Sequence, residues 1–268
     1  MIPKIIHFCW FGGNPLPPLA QKCIASWKKY LPDYEIKEWN ESNFDVNSIA
    51  YTAEAYSEKK YAFVSDYARF EILYNYGGVY FDTDVEVIAS MDDIIEKGAF
   101  MGCEQQYIAT RNYKSGHDLS VAPGLGLGVN PGLGLYKELL DLYATLHFKN
   151  ADGSLNTKTI VAYTTELLCK NGLIYTDAIQ YVAGIYIYPK DYFCPLDYNT
   201  AALNITANTR SIHHYTASWQ NEMRQNAKKI EYKLLFIPRS IRGYVAVLLS
   251  TIRLYGIKGL IDLVKKRI

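Results

Sequence analysis

Near the start, Ile5, Ile6, Phe8 and Trp10 form a short apolar run that Gly12-Gly13-Asn14-Pro15 breaks, the pattern of a buried strand. Leu19, Cys23, Trp27 and Tyr30 then recur at three- and four-residue spacing, which predicts a helix ended by Pro32-Asp33. Tyr34 to Trp39 alternates like a second strand. A longer helix is predicted from Ala53 to Tyr74, closed by Gly77-Gly78, and Val79-Tyr80-Phe81 reads as a third strand. Further on, "GLGLGVNPGLGL" (Gly124 to Leu135) reads as a strand entering a turn, and Leu133–His147 and Ile160–Lys170 as helices. Gly184 to Pro189 reads as a strand stopped by proline, and Arg210 to Trp219 as a last strand running into a loop. Strand and helix alternate with turns between them, so the expected fold is α/β with a mostly parallel sheet. In such sheets ligands bind at the carboxyl ends of strands. Met1 to Trp219 shows no linker, and residues 1–225 are expected to be one domain, with 226–268 as a basic amphipathic helical tail.

Composition adds limits. The 268 residues are 49% hydrophobic and 21% charged, as in soluble globular proteins. A net charge of +1 gives no overall field for nucleic acid. The charge is unevenly spread, however: Gln225 to Ile268 holds ten Lys/Arg against two Asp/Glu, net +8, which leaves the body at −7. In that tail Ile241, Tyr244, Val245, Leu248, Leu249, Ile252 and Tyr255 recur at helical spacing. The uncharged run Gly243 to Thr251 is far shorter than the about 20 residues of a membrane span. A basic amphipathic helix of this kind suits an anionic membrane surface, the alternatives being packing on the body or on a second subunit. Cys9, Cys23, Cys103, Cys169 and Cys194 are scattered with no CxxC pair, which argues for free thiols in a reducing compartment and against zinc. "MIPKIIHFCW" has neither the basic nor the apolar region of a signal peptide, so a cytoplasmic location, peripheral to the inner face of the membrane, is expected.

Chemistry concentrates in "SDYARFEILYNYGGVYFDTDVE", Ser65 to Glu86. Asp82 and Asp84 point the same way if the strand continues, and two carboxylates on one face repel unless something cationic sits between them. Mg2+ and Mn2+ take oxygen ligands and share them with phosphates, so D-x-D after a strand predicts a metal-held diphosphate; the alternative is a turn, where Asp is common. Asp66 and Arg69, three apart on the predicted helix, share a face. They form either a surface ion pair or part of the site. Asn130, before Pro131, is either a sugar-hydroxyl reader or a turn residue.

This run resembles the DXD sugar-binding region of family 32 glycosyltransferases. Its relatives include the yeast initiating α-1,6-mannosyltransferase, bacterial capsular polysaccharide sugar transferases and the glucosylating domain of large clostridial toxins. The family pattern, S-D-x-x-R on a helix followed by G-G-x-Y-x-D-x-D, is carried by Ser65, Asp66, Arg69, Gly77, Gly78, Tyr80, Asp82 and Asp84. "IPKIIHFCWFGG" and "IHHYTASW" resemble the family's first strand and its C-terminal His…Ser-Trp segment, so the likeness spans Ile2 to Trp219. The resemblance implies a GT-A fold, a single Rossmann-like nucleotide-sugar-binding domain. It implies a retaining transfer of a hexose from UDP-hexose or GDP-mannose to a glycan acceptor, dependent on Mn2+ or Mg2+. It implies that Trp10 stacks on the base, that Asp66 and Arg69 hold the donor sugar and phosphate, and that Tyr80 lies beside the nucleotide. Asp82 would contact ribose and sugar or reach the metal through water. Asp84 would bind the metal directly, and Ser218 and Trp219 would close over the diphosphate. A late histidine, His213 ahead of His214, would join the metal; the alternative is a satisfied buried His213 and a solvent-facing His214. The bacterial relatives imply capsular or cell-surface polysaccharide synthesis on a lipid-linked acceptor. Two other classes compete. A metal-dependent phosphohydrolase would want more acidic and histidine ligands than cluster here. A non-catalytic sugar-binding module would have no reason to combine Asp66, Arg69, Asp82 and Asp84.

Overall fold

A computed structural model describes residues 1–104, 120–197 and 202–215 and, beyond these, 226–227, 230–231, 233–234, 237 and 239–265. The chain divides into two compact units, one of Met1–Leu196 with Asn204–His214 and the other of Asp197–Leu203 with Tyr215–Ile268.

The first unit is built on a seven-stranded sheet. Its strands are β1 (Ile5–Cys9), β2 (Glu35–Trp39), β3 (Gly78–Tyr80), β5 (Phe100–Gly102), β6 (Leu127–Val129), β7 (Gln180–Val182) and β8 (Ile185–Tyr188), in the order β2-β1-β3-β6-β5-β8-β7. β1 runs parallel to β2 and β3, and β5 parallel to β8, while β6 and β7 are antiparallel to their neighbours. Five of the seven strands therefore point one way, the mainly parallel α/β sheet expected from the sequence. A separate ribbon pairs β4 (Val85–Val87) antiparallel with β9 (Ser211–His213).

The helices of this unit are α1 (Pro18–Tyr30), α2 (Ala50–Ser57), α3 (Tyr61–Tyr76), α4 (Asp92–Lys97), α5 (Gly134–Ala144), α6 (Ile160–Lys170) and the single turn α7 (Lys190–Phe193). The helix predicted over Ala53–Tyr74 is in fact two. Lys59 adopts φ 55°, a left-handed conformation that ends α2, and α3 begins two residues later. Apolar positions continue on both sides of the break, so periodicity alone could not reveal it.

Two side chains brace the strands that carry the site. Trp27 of α1 is fully buried and donates its indole N–H to Val85 O at 2.7 Å, fixing β4 against α1. His7 of β1 is also fully buried; Trp39 Nε1 donates to its Nδ1 at 3.0 Å, so its Nε2–H is free to donate to Gly77 O at 2.9 Å. Burial lowers the pKa of His7 to about 4, which keeps the imidazole neutral in this role. It ties β1 and β2 to the turn between α3 and β3. Gly78 sits in the same place with φ 101°, and a Cβ there would lie 2.6 Å from Ile5 O. On α3, Tyr67 packs beside Tyr143 and Phe70 beside Tyr136 in the core.

The second unit is dominated by α8 (Arg239–Lys265), which is broken at Gly256, where φ is 65°. Among the residues whose burial is described, Arg242, Ala246, Ser250 and Thr251 are buried, whereas Ile241, Tyr244, Leu248, Leu249, Ile252 and Tyr255 are exposed. Among the described residues no helix is long and apolar enough to cross a membrane.

Candidate active site

The α3–β3 hairpin delivers one cation to two carboxylates. Arg69 is 4% exposed, and its Nη2 lies 3.0 Å from Asp66 Oδ1 and 3.2 Å from Asp82 Oδ1. Asp66 reaches it because i and i+3 share a helix face; Asp82 reaches it because β3 leads back along α3. The remaining contacts fix its pose. Nε donates to Ser65 O at 3.2 Å, and the guanidinium lies 5.0 Å from the centroid of the Tyr80 ring. Tyr80 in turn donates its hydroxyl to Asp82 Oδ1 at 3.2 Å.

Burial sets the electrostatics of this group. It pushes the Asp66 carboxyl up to about 6, against the pull of Arg69, with Asp82 adding repulsion. The backbone N–H of Ile160, the first residue of α6, bonds to Asp66 and partly offsets that rise. Asp82 is likewise raised by burial, against the pull of Arg69, and further by its neighbour Asp84. For Arg69 burial acts downward, but the negative charge of Asp82 and Asp66 outweighs it and holds the guanidinium charged. Removing one partner from such a buried pair leaves an uncompensated charge and costs about 3–5 kcal/mol.

Asp84 faces a different partner. The β4–β9 register sets Val85 opposite His213, and His213 Nε2 lies 3.1 Å from Asp84 Oδ1. Burial acts to lower the His213 pKa, but the charge and hydrogen bond of Asp84 raise it. His214 donates its backbone N–H to Asp84 O at 3.0 Å, while its side chain turns the other way: Nε2 is 2.8 Å from Glu86 Oε2. Lys22 of α1 completes that outer group, with Nζ 2.8 Å from Glu86 Oε1. The strand alternation thus splits the acids and histidines into two sets.

Among the described residues no three His, Cys, Asp or Glu side chains converge as a metal cage. A carboxylate and an imidazole side by side, Asp84 and His213, nevertheless fit a divalent ion whose other ligands come from a bound diphosphate and water. Asp82 pairs with Arg69 and His214 with Glu86, while Asp82 also interacts electrostatically with both Asp84 and His213.

The other expected residues are placed as follows. Trp10 is half-buried just beyond β1 and donates its ring N–H to Asn14 O at 2.5 Å. Since His7 of β1 is in register with Tyr80 of parallel β3, Trp10 and Asp82 leave the sheet at the same end. Asn130 does not join them. β6 runs opposite to β3 with Val129 facing Gly78, so Asn130 emerges, exposed, at the far end from Asp82. Ser218 and Trp219 lie outside the described residues.

The structure also recruits groups that local patterns did not reveal. The Asp82 N–H donates to Gly124 O at 3.3 Å, in the turn before β6. The α6 N-terminus, capped by Thr159 accepting from Ala162 N–H, abuts Asp66. The glycine-rich run was visible in the sequence, but nothing there tied it to the D-x-D.

Residues 17–101, from α1 through β5, match the family described as "Glycosyltransferase sugar-binding region containing DXD motif". Inositol phosphoceramide mannosyltransferase 3 of Schizosaccharomyces pombe is 31% identical over 107 residues, covering 37% of this chain and 29% of that protein. Inositol phosphoceramide mannosyltransferase 1 of the same yeast is 28% identical over 111 residues, covering 37% of this chain and 33% of that protein. The likeness thus spans about a third of the length of these curated relatives. Of solved structures, the PaToxG glycosyltransferase superposes with a TM-score of 0.46 at 18% identity, covering 63% of this chain and 69% of that one.

Proposed function

From residues 17–101 as a DXD-containing glycosyltransferase sugar-binding region, we propose that the protein is a glycosyltransferase that moves a hexose from a nucleotide sugar to a glycan acceptor. One observation carries the reading: a buried arginine shared by two carboxylates stands next to a second carboxylate–imidazole pair. A sugar–phosphate bond breaks when charge on the departing diphosphate is stabilised and the sugar is held. Arg69, permanently charged, neutralises phosphate or anchors the sugar. Asp66 and Asp82 accept hydrogen bonds from sugar and ribose hydroxyls, and Trp10, at the same end of the sheet, stacks on the base. Asp84 and His213 would hold a Mn2+ or Mg2+, which when bound neutralises the charge developing on the leaving diphosphate. Asp66 and Asp82 are both engaged with Arg69, so in this reading the nucleophile is the acceptor hydroxyl, attacking from the leaving-group side with retention.

The acceptor in this reading is lipid-linked, as in cell-surface polysaccharide synthesis. The names of the two yeast relatives, which describe mannosyl transfer to a ceramide lipid, support a membrane acceptor. α8 supports it too, since Ile241, Tyr244, Leu248, Leu249, Ile252 and Tyr255 are exposed along with Arg253. The full chain is therefore expected to bind anionic vesicles in a salt-sensitive manner, and equal binding at high and low salt would contradict this.

The donor reading is tested by thermal shift. UDP- and GDP-sugars are screened with and without Mn2+, because a ligand selective for the native state raises Tm. At least one nucleotide sugar is expected to raise Tm in a Mn2+-dependent way. No shift from any of them would contradict the reading.

A further inference from the structure

We infer that Gly124 is a positioning residue whose lack of a side chain keeps the Asp82 carboxylate on Arg69; the inference rests on the reading of Arg69 and Asp82 as donor-site residues.

A glycine is retained for its backbone or for its space. Gly126, two residues on, needs its backbone freedom, with φ 136°. Gly124 does not: it is absent from the glycines with positive φ, so alanine could adopt its conformation. What forbids a side chain is space alone. A Cβ on Gly124 would stand 2.1 Å from Asp82 Oδ2, 3.1 Å from Asp82 Cγ and 3.4 Å from Arg69 Nη1. All three nearest atoms belong to the site.

The turn has little freedom to retreat. Val121 N–H donates to Thr165 Oγ1 at 2.9 Å, Ala122 N–H to Gly102 O at 2.9 Å and Leu125 N–H to Ala122 O at 3.1 Å. Pro123, Gly124 and Leu125 are all buried. Gly124 is also tied to the same aspartate through its carbonyl, which accepts the Asp82 N–H. Thr165 belongs to α6, whose first N–H bonds to Asp66. One helix therefore backs both carboxylates that share Arg69. With the turn anchored, the part able to give is the Asp82 side chain. A methyl at position 124 would swing it away, and Oδ1 would lose both Arg69 and the Tyr80 hydroxyl.

The test is a double-mutant cycle on the full chain: wild type, Gly124→Ala, Asp82→Ala and the double variant. Tm is measured in EDTA, and sugar-nucleotide turnover is measured with Mn2+. Gly124→Ala is expected to lower Tm when Asp82 is present and to leave it nearly unchanged in the Asp82→Ala background, where the clashing carboxylate is gone. In the single variant kcat falls at least about tenfold while KM for the donor moves less, since geometry rather than contact is lost. An equal Tm loss in both backgrounds would overturn the inference and make Gly124 a packing residue. Wild-type Tm and turnover in Gly124→Ala would overturn it as well. The Tm coupling needs no turnover, so it would persist even if the protein proved not to be a glycosyltransferase.

Discussion

Two ionic groups flank the D-x-D turn with similar contact distances and opposite physics. Asp66, Arg69 and Asp82 meet at 3.0 and 3.2 Å, and Glu86 meets Lys22 and His214 at 2.8 Å each. The difference lies in the cation's exposure to solvent, since the Asp82 side chain, at 30%, is more exposed than that of Glu86, at 18%. The Arg69 side chain is 5% exposed, whereas that of Lys22 is 61% exposed. Inside, each charge must be matched or the remainder is stranded; outside, water and salt replace a lost partner. The carboxyl shifts follow the same split. Burial wins at Asp66 and raises its pKa, while at Glu86 burial is outweighed by the bonds from Lys22 and His214, and its pKa falls. A short ion pair therefore reveals little about its worth until its surroundings are known.

The comparison breaks most visibly at Arg69. Arg69→Lys keeps the charge but cannot fork between two carboxylates, so turnover is expected to fall roughly 100-fold or more, the equivalent of about 3 kcal/mol of lost interaction. Near-normal turnover in that variant would mean that charge alone suffices. Asp66→Asn should come next, with a loss of kcat exceeding the loss of nucleotide affinity, as read by steady-state kinetics and nucleotide titration.

The pH responses then sharpen the contrast, measured as Tm without metal. Asp66 binds its proton more tightly folded than unfolded. Its contribution is thus fully present below its ordinary value of 3.8 and is lost as pH rises through about 6. Wild type should gain on Asp66→Asn as pH falls across that window. Glu86 has the opposite sign: its stabilisation is present above its ordinary value of 4.5 and lost as pH falls below it. Wild type should therefore lose ground to Glu86→Gln in acid. The smallest effect belongs to Lys22→Ala, about 0–1 kcal/mol at neutral pH and smaller in high salt.

Much of the inner group was legible in the sequence because its spacing is local. Asp66 and Arg69 meet by helical geometry, and His213 and His214 part by strand alternation. In the structure the cation beside Asp82 is Arg69, while Asp84 lies beside His213. The supports at Gly124 and Ile160 come from distant parts of the chain, and periodicity carries no information on such pairings. Asn130 shows the same limit. Its turn was recognisable, but the direction of β6, which decides the end of the sheet it occupies, was not. The break at Lys59 was hidden because a single left-handed residue leaves the apolar pattern intact on both sides.

The most direct test compares nucleotide-sugar turnover in Mn2+ for wild type, Asp84→Asn and Glu86→Gln, acids two residues apart on one strand end. Wild type is expected to release nucleoside diphosphate and transfer the sugar. Asp84→Asn should lose nearly all of that activity while keeping its fold, and Glu86→Gln should stay within about twofold of wild type, as befits a pair worth about 0–1 kcal/mol. Full activity in Asp84→Asn, or equal losses in the two variants, would contradict the assignment of Asp84 as the metal-holding carboxylate of the donor site.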